Sequence, residues 1–284
     1  MKRVYLVISI ISSLIILLSC NGNNRKSAIL TGYMSGYNNN TREKKNLKPE
    51  QREISGIIFL NDGQKLASIN DEEGKVFIID YSNKDSTKSY DFASKGDFED
   101  IVMDEKYFYV LESRGRIYQV PKPGTADTVT IYKIPIRNAD FEAMYMDTAN
   151  NRIVMICKSC PDLESKMKKP AFCFNLTTHT FGSEPCFEID VKKVRELIKN
   201  PTFKNSPSAA AIHPILNKLF IVCSQDGKGI LICDLNGNVE QVVKLSDAMF
   251  PQPEGITFSP NGDMYISNEG LYQAGSIIYY PYKK

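Results

Sequence analysis

Three glutamates occupy one position of an internal sequence repeat, each at the start of a short apolar segment. They are Glu99 in GDFEDIV, Glu142 in ADFEAMY and Glu254 in PQPEGIT, and two further repeats carry Ser55 and Ser208 there. If the fold brings the carboxylates to about 5–6 Å, each pair repels by about 3 kcal/mol at an effective dielectric constant of ~20. Protonation would offset this repulsion, and so would Ca²⁺, which takes about 6–8 oxygen ligands. Because the set contains neither a His nor a soft ligand, zinc and copper are disfavoured.

Five repeats contain these positions. Each begins with a small turn, a short apolar strand, a polar turn and a second apolar strand, and a third strand follows. In four repeats a fourth strand follows as well. Intervals of 44, 43, 66 and 46 residues separate the equivalent positions. Four strands in about 40–45 residues is the repeating unit of a β-propeller. The aligned stretches are REISGIIFLNDGQKLASIND (52–71), GDFEDIVMDEKYFYVLES (96–113), ADFEAMYMDTANNRIVMICK (139–158), NSPSAAAIHPILNKLFIVCS (205–224) and PQPEGITFSPNGDMYISNE (251–269).

The sequence therefore predicts an all-β, five-bladed β-propeller with four-stranded blades. The 66-residue interval contains VKKVRELIKN (191–200), which is predicted to form one short helix. The last repeat lacks a fourth strand because the sequence stops at Lys284, and the N-terminal segment TREKKNLK (41–48) is expected to supply it. Such closure removes an exposed sheet edge. Since the first strand of each blade lines the central channel, the three glutamates and two serines should converge at one mouth.

A second acidic set follows the second strands: Asp71, Glu112 and Glu269, with Asn70 and Asn268 beside two of them. These turns should lie at the same mouth, where both sets would form an acidic funnel able to hold a metal ion and a polar ligand. An alternative is that the first glutamates cap strands or accept hydrogen bonds from backbone N–H groups. The second set would then be solvated turn charges.

Cysteines are concentrated in the third repeat. The sequence has seven cysteines, and six remain when Cys20 is assigned to a lipid anchor. An even number of cysteines outside the cytoplasm permits disulfide bonds. Among the four between 157 and 186 a disulfide is favoured over a zinc site, because the last has no paired Cys nearby. The remaining two flank a predicted hairpin and would face each other across it, with buried free thiols as the alternative. The six are Cys157, Cys160, Cys173, Cys186, Cys223 and Cys233.

The N-terminus predicts export and lipidation. Lys2 and Arg3 precede an apolar run over 4–18, and LLSC at 17–20 resembles a bacterial lipobox. The apolar run is short for a membrane span, which needs roughly 20 residues. We expect removal of a signal peptide at 1–19, acylation of Cys20, a flexible tether over 20–45 and a propeller over 46–284. An uncleaved signal anchor is the alternative.

This reading places a monomer on a membrane of the bacterial cell envelope, the outer membrane being expected and the leaflet left open. The chain has 35 Lys+Arg and 33 Asp+Glu, so that loss of Lys2 and Arg3 leaves 33 of each. A neutral mature protein without a basic stripe is a poor nucleic-acid binder.

Five motifs, in order along the chain, resemble those of the SdiA-regulated, or YjiK-like, family of bacterial envelope propellers, which are distantly related to NHL-repeat proteins. They are EISGIIF, SINDEEGKVFIID, GDFEDIV, FEAMYMD and PQPEGITFSPNGDMYISNE. The resemblance covers about 47–284 and implies a five-bladed propeller and a bound calcium ion. The resemblance supplies no enzymatic activity that could be carried over to this chain. The Cys-bearing unit at 157–186 departs from the family pattern.

The leading hypothesis is a non-catalytic, calcium-stabilised binding or scaffold module for an unidentified small molecule or protein. One alternative is a metal-dependent hydrolase, lactonase-like or phosphoesterase-like, in which the cation acts as a Lewis acid. Another is a protein-docking platform that uses the helical insertion and the flat face. His179 and His213, the two histidines, lie in predicted turns without a nucleophile motif, which argues against a catalytic triad.

Overall fold

Short apolar segments separated by polar turns form the strands of the fold. The computed structural model describes residues 30–31, 34–61, 64–82, 87–161, 167–225, 227–270 and 272–283. The predicted signal peptide and Cys20 lie outside the described residues. Within these ranges there are 22 strands, one α-helix and three 3-10 helices, and no helix in them is long and apolar enough to cross a membrane.

The strands of the first half are β1 Leu30–Thr31, β2 Glu43–Asn46, β3 Ile54–Leu60, β4 Lys65–Asn70, β5 Glu73–Asp80, β6 Thr87–Lys95, β7 Phe98–Met103, β8 Tyr107–Glu112, β9 Arg116–Pro121 and β10 Thr130–Lys133. Those of the second half are β11 Asp140–Asp147, β12 Arg152–Ser159, β13 Lys168–Asn175, β14 Thr180–Phe181, β15 Phe187–Asp190, β16 Pro207–His213, β17 Lys218–Cys223, β18 Gly229–Cys233, β19 Val239–Leu245, β20 Pro253–Phe258, β21 Met264–Asn268 and β22 Ser276–Tyr280. Helix α1 spans Val191–Ile198, and the 3-10 helices span Asn39–Thr41, Pro49–Gln51 and Thr148–Asn150.

Five antiparallel sheets form the blades of a propeller, which confirms the predicted fold. Blade 1 is β3–β6, blade 2 is β7–β10, blade 3 is β11–β14 with β15 paired to β13, blade 4 is β16–β19 with β1, and blade 5 is β20–β22 with β2. The first strands of successive blades lie side by side, and β20 lies beside β3. The ring therefore closes with β3, β7, β11, β16 and β20 around the central channel.

The N-terminal segment closes the last blade, as the sequence predicts. Strand β2 pairs antiparallel with β22, with Lys44 opposite Ile278. This pairing satisfies the backbone N–H and C=O groups at the outer edge of β22, which would otherwise form an open sheet edge.

Contacts with the propeller begin before residue 46, within the range that the sequence analysis assigns to a tether. Strand β1 pairs with β19 of blade 4. Met34 is buried in the core between blades 4 and 5, and the Tyr37 hydroxyl donates a hydrogen bond to Gly262 O at 2.6 Å. Residues 34–46 thus pack on the fourth and fifth blades.

Most of each sheet is covered on both faces by the neighbouring blades, which explains why the inner and middle strands are almost continuously apolar. All five residues of β18 are buried. Between blades 4 and 5, Val222 and Ile230 lie in one core cluster with Ile266 and Ile278. These interblade layers hold the inner strands at fixed positions around the channel.

Helix α1 lies in the insertion where the sequence predicts it. The Asp190 carboxylate caps its N-terminus by accepting a hydrogen bond from Lys193 N at 3.1 Å. Val191, Val194 and Ile198 form the buried face, and α1 contacts β13 and β19. The insertion therefore packs against blades 3 and 4 rather than adding a sixth blade.

Blade 3 contains two disulfide bonds, Cys157–Cys160 and Cys173–Cys186. Cys223 and Cys233 are buried free thiols. Cys223 pairs with Gly229 across the hairpin, whereas Cys233 pairs with Leu219 at its other end. The expectation that these two cysteines face each other is therefore wrong, because the hairpin is centred two residues before Lys228, about which the cysteines are symmetric in sequence.

Candidate site at the channel mouth

A β-bulge marks the repeated position in every inner strand. In β7, Phe98 and Asp100 pair with consecutive residues of β8, so Glu99 is the extra residue of its strand. A bulge bends the strand and turns a side chain away from the regular alternation, here at the end of each strand nearest the mouth. The shifts fall at Ser55–Gly56, Glu99, Glu142, Ser208 and Glu254.

Lys158 lies among the three glutamates. Its ammonium group forms an ion pair with Glu142, and the two side chains are only 19% and 10% exposed. The charge of Lys158 also lowers the pKa of both Glu99 and Glu254. Since Glu254 in turn raises the pKa of Glu99, the predicted glutamates share one mouth, and a lysine that the sequence analysis did not select shares it with them.

The carboxylates of this mouth hold their protons more tightly than usual. Burial, followed by repulsion from Asp97 and Glu254, raises the pKa of Glu99 to about 9. Burial raises the pKa of Glu254 to about 8, although Lys158 acts in the opposite direction. At neutral pH the protein therefore limits the mutual repulsion by protonation and by the Lys158 ion pair together.

The two serines of the set have different roles. Ser208 Oγ donates to Pro253 O at 2.7 Å and lies within hydrogen-bonding reach of the Glu254 carboxylate, which lowers the pKa of Glu254. Ser55 contributes its main chain, since Ser55 O accepts a hydrogen bond from Ser267 Oγ at 2.8 Å. Ser208 thus belongs to the acidic mouth, and Ser55 supports blade 5 from the adjacent strand.

Two residues of the second acidic set extend the mouth outward. Burial, with repulsion from Glu53 and Glu72, raises the pKa of Asp71 to about 6. Burial and the Asp71 charge likewise raise the pKa of Glu269. The Gln252 side-chain amide donates to Glu269 and is also hydrogen-bonded to Glu254. Gln252 therefore connects the inner glutamates to this outer pair.

Glu112 does not occupy the position of Asp71 and Glu269. It pairs with Phe98, in the register position that Asn70 and Asn268 hold in their own blades. Glu112 instead accepts hydrogen bonds from Arg116 Nη1 at 2.7 and 2.9 Å. Because adjacent residues of a strand point to opposite faces, the one-residue offset separates Glu112 from Asp71 and Glu269.

Asp100 is a channel residue that sequence reasoning missed. It is 2% exposed, and its carboxylate accepts hydrogen bonds from Ile101 N and Met144 N, both at 2.8 Å, and from Ala210 N. Burial raises its pKa, while these donors act in the opposite direction. Asp100 thereby connects blades 2, 3 and 4 one layer below the mouth.

The sequence contains a signal for Asp100. The other repeats have Gly or Ala at this position: Gly56, Ala143, Ala209 and Gly255. A Cβ atom at Gly56 would lie 2.6 Å from Asp100 Oδ1, so the glycine of blade 1 makes room for the Asp100 carboxylate. An Asp among four small residues of a repeat is the pattern that would have identified it.

The calcium expectation does not fit the residues as they are arranged. Among the described residues, no group of three or more His, Cys, Asp and Glu side chains is placed to hold a metal ion. The Lys158 ammonium pairs with Glu142, a carboxylate that Ca²⁺ would need. Binding of Ca²⁺ at this mouth would require Lys158 to move away.

Both histidines lie away from the mouth and have structural surroundings. His213 is buried, and burial lowers its pKa to about 4. Its Nδ1 accepts hydrogen bonds from Ile215 N and Leu216 N at 3.1 Å. His179 stands in the turn between β13 and β14 and stacks on Phe174. Neither histidine contacts the carboxylates of the channel mouth.

The ring of blades and its mouth define the class of the molecule: a five-bladed β-propeller that presents carboxylates from its inner strands at one end of the channel. The chain belongs to the SdiA-regulated family, whose sequence model matches residues 31–271. The resemblance seen in the repeat motifs is thereby confirmed. No curated protein matches the chain significantly.

Solved structures with a similar fold include regucalcin, a calcium-binding protein from Agrobacterium tumefaciens strain C58. It has a TM-score of 0.52 and 7% identity, with 84% of this chain and 93% of that chain covered. A Bacteroides thetaiotaomicron VPI-5482 protein of unknown function has a TM-score of 0.50 and 13% identity, with 84% of this chain and 58% of that chain covered. At these identities the similarities establish the fold alone.

Proposed function

We propose that the protein is a non-catalytic binding module of the bacterial cell envelope, anchored through an acylated Cys20, whose channel mouth takes up a positively charged ligand. The observation that carries this proposal is that Lys158, which pairs with Glu142, also acts with its charge on the buried carboxyl groups of Glu99 and Glu254. Asp97 and Asp140 add negative charge near the same mouth.

A cation would be bound because it relieves the mutual repulsion of these carboxylates. The protein keeps Glu99 and Glu254 protonated near neutral pH, since their pKa values are raised to about 9 and about 8. A bound cation favours the ionised carboxylates. Binding should therefore release protons, and the affinity should increase as the pH rises towards 8.

The ligand class follows from the chemistry of the mouth. Carboxylate oxygens bind Ca²⁺, the cation implied by the family resemblance, and they also pair with organic ammonium groups. Regucalcin is described as calcium-binding, which makes Ca²⁺ the first ligand to test. A ligand that carries an ammonium group would replace the Lys158 ammonium with one of the same kind.

Calorimetric titration of the purified protein with Ca²⁺ and, separately, with a short diamine tests the proposal. Titrations in two buffers of different ionisation enthalpy report the protons released. We expect binding with proton release, and weaker binding by Glu142→Gln and Glu254→Gln. Glu105→Gln, at an exposed turn, is the matched control. If neither probe binds the wild-type protein, the proposal fails.

Two further measurements concern the remaining parts of the proposal. Labelling with a radioactive fatty acid should modify the wild-type chain and leave Cys20→Ser unlabelled. Metal-dependent turnover in a panel of lactones and phosphoesters would contradict the non-catalytic assignment and favour the hydrolase alternative.

A further inference from the structure

We propose that Lys158 is an internal competitor for the channel-mouth site: its ammonium group occupies the carboxylates that a cationic ligand needs, so the ligand binds only when Lys158 leaves Glu142. This inference rests on the proposed function and concerns the same site.

The backbone of blade 3 brings Lys158 to the mouth by an irregularity in its register. Between Asp140 and Phe141 the pairing skips Lys158, and between Phe141 and Ala143 it skips Glu142. Two bulges on facing strands thus direct both side chains out of the regular alternation. In each of the other four blades, the described first and second strands have a single register shift, which falls at the repeated position of the first strand.

Covalent and polar contacts hold the main chain of Lys158. The disulfide between Cys157 and Cys160 closes a loop that contains Lys158, and both half-cystines are buried. On the other side, Lys169 Nζ donates to Lys158 O at 2.5 Å. The ammonium group is therefore delivered from a fixed backbone, unlike that of a lysine at the end of a mobile loop.

The surroundings of the Lys158 side chain are dominated by negative charge. Glu142 is its ion-pair partner, and Glu99, Glu254 and Asp140 each interact with its charge. Lys169 is the other cation nearby, and it acts on Asp140. An ammonium group so placed binds Glu142 directly and lessens the negative charge of the other carboxylates that a cationic ligand would require.

Occupation by Lys158 reduces the apparent affinity for any such ligand. When only a fraction of molecules is competent to bind, the apparent dissociation constant rises by the inverse of that fraction. The Lys158–Glu142 pair is largely withdrawn from water. Buried ion pairs are screened less than ion pairs at the surface. The competent fraction, in which Lys158 has left Glu142, should therefore be small.

The test compares Ca²⁺ binding by the wild-type protein and by Lys158→Met, which keeps the length of the side chain and removes its charge. We expect the variant to bind about tenfold more tightly or better, the factor that corresponds to about 1.4 kcal/mol. Lys158→Arg should behave like the wild type. Lys228→Met is the matched control, because Lys228 is 16% exposed and pairs with Asp247.

The outcomes separate the two proposals. Tighter binding by Lys158→Met with no change in Lys228→Met supports the competitor role. Equal affinities of the wild type and Lys158→Met overturn it while leaving the proposed function intact. If the wild-type protein binds neither Ca²⁺ nor the diamine, the proposed function fails, and if Lys158→Met binds neither of them as well, the competitor role fails with it.

A measurement on the wild-type protein covers the case in which Lys158→Met does not fold. The side-chain ammonium signal of Lys158 in NMR spectra should show slow hydrogen exchange, because the ion pair shields it from water. Saturating Ca²⁺ or diamine should shift the signal and speed the exchange. A signal that stays unchanged at saturation would contradict displacement.

Discussion

The stability of the propeller should decrease as the pH rises from 5 to 8, and Glu254→Gln should remove the part of this decrease that Glu254 contributes. Unfolded Glu254 has its ordinary pKa of 4.5, and burial raises the folded value to about 8. Between these values the folded protein holds a proton that the unfolded chain has lost. The free energy of unfolding therefore falls with rising pH, until Glu254 ionises in the folded protein as well.

The size of the effect follows from the two pKa values. The interval from 4.5 to about 8, at about 1.4 kcal/mol per pH unit, corresponds to about 5 kcal/mol as an upper bound. Glu254 is half-buried, so residual hydration reduces the loss to about 1–2 kcal/mol. The substituted amide side chain cannot ionise, so the variant should match the wild type near pH 5 and exceed its stability at pH 8.

Urea unfolding at pH 5, 6.5 and 8 would measure this difference, with tyrosine fluorescence as the signal, since the chain has 15 Tyr and no Trp. Glu105→Gln, at an exposed turn, should show the wild-type pH dependence. A difference between wild type and Glu254→Gln that is constant over this range, or that grows towards acid pH, would refute the reasoning.

Three further predictions concern the channel, the ring closure and the disulfide beside Lys158. Asp100→Ala should lower the free energy of unfolding by about 3–6 kcal/mol, because it leaves three buried N–H donors without an acceptor. Asp100→Asn should lower the free energy of unfolding less, and Asp127→Ala, at an exposed position, should leave it unchanged. Equal decreases for the three variants in urea unfolding would contradict this reasoning. Removal of residues 1–46 should uncover the β22 edge, lower the melting temperature and cause aggregation on heating. Removal of residues 1–29 is the control. Equal light scattering by the two truncated proteins on heating would argue against closure of blade 5 by the N-terminal segment. Replacing Cys157 and Cys160 by Ser should loosen Lys158 and raise the Ca²⁺ affinity towards that of Lys158→Met, whereas serines at 173 and 186 should leave the affinity unchanged in calorimetry; an unchanged affinity in both would show that the 157–160 bond does not position Lys158.

The repeat and its strands could be predicted from the sequence because both depend on local information. Apolar segments, turn residues and a constant interval between units are properties of neighbouring residues, and they define a propeller blade. The missing fourth strand of the last unit identified the N-terminal segment as its partner, since an open edge is unfavourable. The convergence of Glu99, Glu142 and Glu254 followed from their common place in the repeat.

The partners of these glutamates depend on register, and register is decided only when strands pair. A shift of one residue turns a side chain to the opposite face of a sheet. The double shift in blade 3 brings Lys158 to Glu142. Because Glu112 is offset by one residue, it pairs with Arg116 instead. The CKSC sequence therefore indicated a disulfide bond but did not indicate the ion pair that its lysine forms.

The sequence by itself thus determined the number of blades, the closing strand and the ring of acidic positions, because each is a periodic property of the chain. Tertiary structure alone decided which charge faces which. Asp100 accepts hydrogen bonds from N–H groups of blades 2, 3 and 4. Lys158 pairs with Glu142 of blade 3, and its charge acts on Glu99 of blade 2 and Glu254 of blade 5. Such interactions join residues far apart in the sequence, and their geometry exists only once the ring has closed.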